Sequence, residues 1–258
     1  MSTAATKPEP NPDFDWEAIL ADIITEDDQP VDNIPASKQQ RLLLAPLYDS
    51  WTPQPHEDPD ENKDENESEP RKFMADVNVG VFTKPDNNPL VPDMFLSLDV
   101  ETPFDWKTRL HRSYFVWHFG KPPDVVVEIV SNQEGHELDT KLKRYAQMDV
   151  LYYVVYDPER LLSDDVLRVY ERGFVGRRYR RRTDYLLPEI KLSLTFWQGT
   201  FEDGKGEWLR WCDAQGHVIP TGAERAAKAE SRAMQVEAEN TRLQVEIERL
   251  RAQLATQA

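Results

Sequence analysis

Cysteine is nearly absent from this sequence: Cys212 is the only one among 258 residues. A single cysteine excludes a disulfide bond within the chain and is typical of proteins of the reducing cytoplasm. The first residues, MSTAATKPEPNPDFDW, contain neither the basic nor the apolar region of a secretory signal peptide. No apolar run is long enough to span a membrane. We therefore expect a cytoplasmic protein with no membrane partner.

Positive charge is also scarce. The chain has 31 lysines and arginines against 47 aspartates and glutamates, and its net charge is −16. This balance argues against nucleic-acid binding over the whole surface, because phosphate neutralisation needs basic side chains, but it allows a local basic groove. The hydrophobic content of 39% is low for a compact domain, so part of the chain is expected to lie outside the core.

Two segments have a composition that cannot build a core. Residues 1–36 are acidic and rich in proline, and we expect a disordered N-terminal tail. Residues 53–70 form an acidic low-complexity tract, which we interpret as a disordered, solvated insert. The alternative is a DNA-mimicking or autoinhibitory arm that competes for a basic groove. The main domain is expected to span residues 37–222, beginning with a helix over 38–51 that Ser37 caps and Pro46 kinks or shortens.

The C-terminal segment, residues 223–258, has a heptad pattern. Small or apolar residues recur at alternating spacings of three and four, and no glycine or proline follows Gly222. A single surface helix could show this pattern, but we expect a coiled coil. Isoleucine at a with leucine at d favours a parallel dimer, and asparagine at a fixes the register. The seam consists of Ala226, Ala229, Ala233, Val236, Asn240, Leu243, Ile247, Leu250 and Leu254.

The strongest secondary-structure pattern lies in residues 122–158. Positions 125–130 are β-branched apart from Glu128, which predicts a strand buried on both faces. A helical pattern over 136–148 and a second strand over 151–156 complete a βαβ-like unit. Upstream, alternating valines at 77, 79 and 81 predict a strand that pairs antiparallel with a strand over 91–100.

Three residues from these elements form a candidate catalytic set: Asp93, Glu128 and Lys141. Two carboxylates can hold Mg²⁺, a hard cation that prefers oxygen ligands. Bound Mg²⁺ polarises a phosphate and lowers the pKa of a water molecule, and a lysine orients that water or stabilises developing negative charge. Each residue also has an ordinary explanation, namely a Pro-Asp turn, an ion pair in a strand and a solvated helix lysine.

The combined pattern resembles the Uma-two family of bacterial restriction-endonuclease-like proteins, in the PD-(D/E)xK nuclease superfamily. The matching pieces are PPDVVVEIVS (122–131), the helix with Lys141 and Tyr145, and VLYYVVYDP (150–158). The resemblance covers residues 36–225. It implies an α/β restriction-endonuclease-like fold with a mixed sheet flanked by helices, which the C-terminal coiled-coil helix would follow.

The resemblance also implies the activity, a Mg²⁺-dependent endonuclease that hydrolyses DNA phosphodiester bonds. Asp93 matches the first acid of the superfamily and Glu128 the second, both as metal ligands. The superfamily lysine would fall at Val130, so Lys141 on the helix is the expected replacement. Asp124 is either a second metal ligand or a turn residue at the start of the strand, and we favour the turn.

The only dense basic patch of the sequence contains arginines at 177, 178, 180, 181 and 182. Either these arginines guard an exposed edge strand, or Arg177, Arg178, Arg180 and Arg181 contact DNA phosphates. Two other functions remain open. One is a catalytically inactive nuclease-fold protein that acts as a dimeric binding or scaffold module, and the other is a metal-dependent hydrolase of another phosphate substrate.

Overall fold

The computed structural model describes residues 33–55, 70–86, 88–101, 105, 107–131, 136–173 and 178–257. Most of the tail 1–36, most of the insert 53–70, and Arg177 lie outside the described residues. The chain divides into two compact units, Met1–Ile219 and Pro220–Ala258. Within the described residues, no helix combines the length and apolar character needed to cross a membrane.

The first unit combines strands with short helices around one central sheet. Its strands are β1 Phe73–Asp76, β2 Val81–Phe82, β3 Met94–Leu98, β4 Tyr114–Phe115, β5 Val125–Ile129, β6 Tyr152–Tyr156, β7 Leu167–Arg172, β8 Tyr179–Arg181, β9 Leu186–Leu187, β10 Leu192–Phe201 and β11 Gly204–Cys212. Its helices are α1 Ile34–Ser50, α2 Val116–Phe119 and α3 Leu142–Gln147, with 3₁₀ turns at Arg109–His111 and Pro188–Ile190 and a π-helical turn at Glu137–Lys141.

The central sheet is mixed and contains six strands in the order β1-β3-β5-β6-β7-β8. β5 and β6 run parallel, paired from Val125↔Tyr152 to Ile129↔Tyr156, and the other neighbours are antiparallel. Every residue of β5 and β6 is buried, as expected for parallel strands covered on both faces. The predicted α/β fold with a mixed sheet flanked by helices is therefore confirmed, together with its βαβ-like unit.

The two faces of β5 belong to different layers. Val127 and Ile129 pack in a core with α1 and the second sheet, whose order is β11-β10-β9. Gln39 of α1 fixes this layer, because its side-chain amide donates to Leu209 O at 2.8 Å and accepts from Leu209 N at 2.9 Å. Side chains alternate along a strand, so Glu128 points to the opposite face, where α3 lies.

Helix α1 begins earlier than predicted. Asn33 is its N-cap and accepts a hydrogen bond from Ala36 N at 2.9 Å, so Ser37, the predicted cap, lies inside the helix. Pro35 lies in the first turn, where a backbone N–H has no acceptor within the helix. The missing N–H of proline therefore costs no hydrogen bond there. Pro46 is contained within the helix, which continues to Ser50.

The strand predicted from the valines at 77, 79 and 81 is displaced toward the N-terminus. β1 ends at Asp76, whose carboxylate accepts a hydrogen bond from Val77 N at 2.8 Å, and Asn78 then adopts a positive φ of 55°. These local contacts turn the chain out of the sheet in spite of the alternating pattern. The expected antiparallel pairing with β3 is made by residues 73–76 instead.

The longest hairpin was not predicted. β10 and β11 pair over their whole length around Glu202 and Asp203, which both have positive φ. Paired positive φ values followed by glycine are typical of a tight hairpin turn, because they match the twist of the strands. A shorter turn follows β11, where an isolated antiparallel bridge joins Cys212 and Val218.

The second unit contains one helix, α4, Gly222–Gln257, of 36 residues. Its start is a capping box: Thr221 Oγ1 accepts from Glu224 N at 3.2 Å, and Glu224 Oε2 accepts from Thr221 N at 2.8 Å. The seam residues Val236, Leu243 and Ile247 are about half exposed. The continuous helix agrees with the heptad pattern, and pairing with a second chain stays a prediction.

Candidate functional site

Glu128 lies near the carboxyl end of β5, on the face that α3 covers, and only 2% of it is exposed. Both carboxylate oxygens are engaged. The Tyr145 hydroxyl donates to Oε1 at 2.7 Å, and the Lys141 ammonium donates to Oε2 at 2.8 Å. Lys141 and Tyr145 reach the same carboxylate because residues four apart lie on the same side of a helix.

The Lys141 ammonium is positioned by the π-helical turn that precedes α3. Lys141 N donates to His136 O at 3.1 Å, across five residues, and His136 starts the turn with a left-handed φ of 56°. Such turns are rare and often occur at functional sites. The Lys141 side chain is 27% exposed, so the ammonium contacts a buried carboxylate while it keeps access to solvent.

Asp93 directly precedes β3, and its carboxylate reaches across to β5. Oδ2 accepts a hydrogen bond from Ile129 N at 2.6 Å, and Oδ1 accepts one from the Gln40 side chain at 2.9 Å. The bond to Ile129 holds Asp93 beside the residue that follows Glu128. Asp93 therefore lies next to the backbone at the carboxyl end of β5, although it is 35 positions before Glu128 in the sequence.

Burial is the largest single influence on the pKa values of Glu128 and Lys141. Burial raises the pKa of Glu128, and the Lys141 charge and the hydrogen bonds from Lys141 and Tyr145 lower it without reversing the direction. Burial lowers the pKa of Lys141, but the charges of Glu128, Glu137 and Asp93 outweigh it, so this pKa is raised. Lys141 is consequently a fixed cation near neutral pH and not a base.

The two partners of the Glu128–Lys141 ion pair respond differently to burial. The attraction favours charged Lys141, yet it does not offset the cost of burying the Glu128 carboxylate. A buried pair of this kind is weak evidence for stability. A strongly perturbed acid with a specific charge partner is instead typical of functional sites.

Two buried tyrosines support the acids. Burial, followed by the Glu128 charge, raises the pKa of Tyr145 well above its ordinary value, so its hydroxyl remains a donor to Glu128. Tyr153 donates to Glu137 O at 3.0 Å and thereby anchors the start of the π turn to β6. The rings of Tyr145 and Tyr153 are 5.0 Å apart.

Gln40 and Glu137 belong to the site although neither was among the predicted catalytic residues. Gln40 is buried on α1 and connects Asp93 to Asn78. Its only signal in the sequence is a polar residue on the apolar side of a helix. Glu137 is buried and its Oε1 lies 3.4 Å from Lys141 Nζ, while its Oε2 is buried with no hydrogen-bond partner in the described chain. Its signal is an acid four positions before a helix lysine.

The fit of this site to a metal ion can be judged from its donors. Among the described residues, no three His, Cys, Asp or Glu side chains gather closely enough to hold a metal ion. The available groups nevertheless suit a hard divalent cation, because Asp93, Glu128 and Glu137 present only carboxylate oxygens. The buried Glu137 Oε2, which has no hydrogen-bond partner among the described residues, also favours a cation.

Asp124 is not part of this site. Its Oδ2 accepts hydrogen bonds from Leu98 N at 2.7 Å and from Lys121 Nζ at 2.6 Å, which ties the start of β5 to the end of β3. Asp124 shares a face with Glu128, but four strand positions separate them by about 13 Å. These contacts favour the structural explanation for Asp124 over a role as a metal ligand.

Of the predicted DNA-binding arginines, Arg178, Arg180 and Arg181 lie on or beside β8, the strand at one end of the described central sheet. Arg180 pairs with Glu171 at 3.1 Å, and Arg181 pairs with Asp165 at 3.0 Å. These ion pairs favour the interpretation as a charged edge strand. Arg178 is exposed, and Arg177 lies outside the described residues. Phosphate binding by this patch stays a prediction.

Comparisons with known proteins give one match. The family model of Uma2, described as "Putative restriction endonuclease", matches residues 61–198. A search of curated proteins and a search of solved structures each found no match to this chain. The matched segment contains Asp93, Glu128 and Lys141 but not Gln40. Because the match covers more than half of the sequence, this protein belongs to the Uma2 family.

Proposed function

We propose that this protein is a Mg²⁺-dependent endonuclease that hydrolyses phosphodiester bonds of DNA. One observation supports the proposal: Asp93 bonds the backbone of Ile129, and the adjacent Glu128 pairs with a charged and partly exposed lysine. Membership of the Uma2 family supports the same reaction class and DNA as the partner.

The residues have distinct roles in this proposal. Asp93 and Glu128 would hold Mg²⁺, which when bound supplies Lewis acidity toward the phosphate and lowers the pKa of a water molecule. Gln40 and the Ile129 amide orient Asp93, and Tyr145 orients Glu128. Preorganised ligands of this kind need little rearrangement during the reaction.

Lys141 contributes positive charge at the reacting phosphate. As the water oxygen bonds to phosphorus and the bond to the leaving sugar oxygen breaks, negative charge builds up on the phosphate oxygens. An ammonium with a raised pKa stabilises that charge, and it does not remove the proton of the water. That proton passes to solvent, and the leaving oxygen takes up a proton.

Self-association through α4 completes the proposal. The exposed seam of α4 would pair two chains, and two chains would supply one site for each strand of a duplex. Arg178, Arg180 and Arg181 would then contact phosphates, the last two in exchange for Glu171 and Asp165. We place the protein in the cytoplasm, in keeping with its single cysteine.

Nicking of supercoiled plasmid tests the function. We expect wild-type protein to nick DNA with Mg²⁺ and not with EDTA, and Asp93→Asn and Glu128→Gln to be inactive. Asp139→Asn is the matched control, because Asp139 is an exposed acid on the same π turn, with a side chain 60% exposed. Equal nicking by the two site variants and wild type would refute the assignment.

The alternative function is a catalytically inactive nuclease-fold scaffold. It is favoured by Val130 at the position of the superfamily lysine and by the net charge of −16. If the wild-type protein cuts no DNA but still self-associates, this alternative is correct. A metal-dependent hydrolase of another phosphate compound would cut a small phosphodiester without inhibition by added DNA.

A further inference from the structure

Glu137 is an acid of the site that the proposed reaction leaves unused. Its side chain is only 6% exposed, and a carboxylate buried to this degree is costly unless it is paired and hydrogen-bonded. Oε1 makes one long contact with Lys141 Nζ at 3.4 Å, and Oε2 has no hydrogen-bond partner among the described residues. The packing around Glu137 therefore leaves a buried acceptor without a donor.

The backbone holds this carboxylate toward the site. Tyr153 donates to Glu137 O at 3.0 Å, and the π turn places the side chains of Glu137 and Lys141 on the same side. Lys141 Nζ contacts both Glu137 Oε1 and Glu128 Oε2, at 3.4 and 2.8 Å. The charge of Glu137 also raises the pKa of Glu128, so the two carboxylates lie in each other's field.

Two buried carboxylates share the single charge of Lys141. The side chains of Glu128 and Glu137 are 2% and 6% exposed, and both contact Lys141 Nζ. A divalent cation carries one more positive charge than this ammonium, and carboxylate oxygens are the ligands that hard divalent cations prefer.

We propose that Glu137 is a ligand of a divalent cation together with Glu128, and that the Lys141 ammonium stands where this cation binds. The inference rests on the proposed function, since Glu128 is a ligand in both. With a cation bound there, the Lys141 ammonium would move toward solvent on its flexible four-carbon stem, to the side from which the substrate phosphate would approach.

Binding of Mn²⁺ to the full chain without DNA tests this inference, measured by calorimetry or by loss of the electron paramagnetic signal of unbound Mn²⁺. We expect Glu137→Gln to weaken binding at least about tenfold, the effect seen even for groups that only support a metal ligand. Asp139→Asn should stay within about twofold of wild type, because an exposed charge is screened by salt. Lys141→Met should bind Mn²⁺ more tightly than wild type, because the competing ammonium is gone.

The outcomes separate this inference from the nuclease proposal. Unchanged Mn²⁺ affinity in Glu137→Gln, or weaker binding in Lys141→Met, would overturn it, as would a wild-type chain that binds no Mn²⁺. Glu137→Asp is the second variant, which keeps the charge but shortens its reach, and it should lie between wild type and Glu137→Gln. Weakened Mn²⁺ binding in a protein that cuts no DNA would support the cation site and refute only the nuclease.

Discussion

Removing Lys141 should lower the free energy of unfolding much more than removing the charge of its partner Glu128. Lys141→Met leaves the Glu128 carboxylate, 2% exposed, without its cation. Glu128→Gln leaves an ammonium that is 27% exposed and still contacts Glu137 at 3.4 Å. An uncompensated charge is costly only where water cannot reach it, so the lysine substitution should be the more destabilising one.

The magnitude follows from that difference in burial. Breaking a buried pair costs about 3–5 kcal/mol, and we expect about 3 kcal/mol for Lys141→Met because protonation of Glu128 limits the loss. At roughly 2–4 °C per kcal/mol for a chain of this size, Tm should fall by about 6–12 °C. Glu128→Gln should cost about 1 kcal/mol or less, the value of a typical hydrogen bond.

Thermal and urea unfolding in EDTA, followed by tryptophan fluorescence, measures both variants. The double variant Glu128→Gln/Lys141→Met should recover most of the loss, since no buried charge is left without a partner. Added Mg²⁺ should stabilise Lys141→Met more than wild type. The reasoning is refuted if Glu128→Gln is as destabilising as Lys141→Met, or if the double variant is worse than both.

The same pair predicts the sign of a pH dependence. Because the folded protein raises the pKa of Glu128 above 4.5, it retains a proton that the unfolded chain has already released. The free energy of unfolding therefore falls as pH rises from 4.5 through the folded pKa. Lys141→Met should show a steeper fall that extends to higher pH, and Glu128→Gln should lack this contribution.

Three further predictions concern the neighbours of the acids and the tail. Tyr145→Phe removes the donor to Glu128 Oε1 and should cost about 1–3 kcal/mol in urea unfolding, whereas an unchanged midpoint would contradict the 2.7 Å bond. Gln40→Leu should slow plasmid nicking at least about tenfold with an unchanged far-UV CD spectrum, because Asp93 loses its orienting donor; wild-type activity would remove Gln40 from the site. Deleting residues 223–258 should leave a folded monomer in sedimentation velocity, and a persisting dimer would exclude α4 as the interface.

The central strands were predictable because their determinants are local. The β-branched run of β5 and the apolar run of β6 predict buried strands by composition alone, and both strands are buried throughout. The position of Asp93 beside the carboxyl end of β5 has a non-local cause. It depends on β3 lying next to β5, which periodicity does not reveal. The family resemblance, and not the local pattern, was what linked Asp93 with Glu128.

The failures also have physical causes. The alternating valines after β1 predicted a strand. The hydrogen bond from Val77 N to the Asp76 carboxylate and the positive φ of Asn78 instead turn the chain out of the sheet. The roles of Gln40 and Glu137 depend on which surfaces α1 and the π turn pack against. A single sequence does not specify that packing, because a glutamine or glutamate at helical spacing is equally compatible with an exposed face.

Two adjacent glutamines on α1 have a practical consequence for the preparation of a shorter fragment that contains the proposed site. Gln39 bonds the backbone of β11, and Gln40 bonds the first acid. A fragment trimmed to the family-matched residues 61–198 would keep every predicted catalytic residue but would lose the hydrogen bonds of both glutamines. We therefore expect the smallest fragment with an intact site to start before Asn33 and to extend past β11.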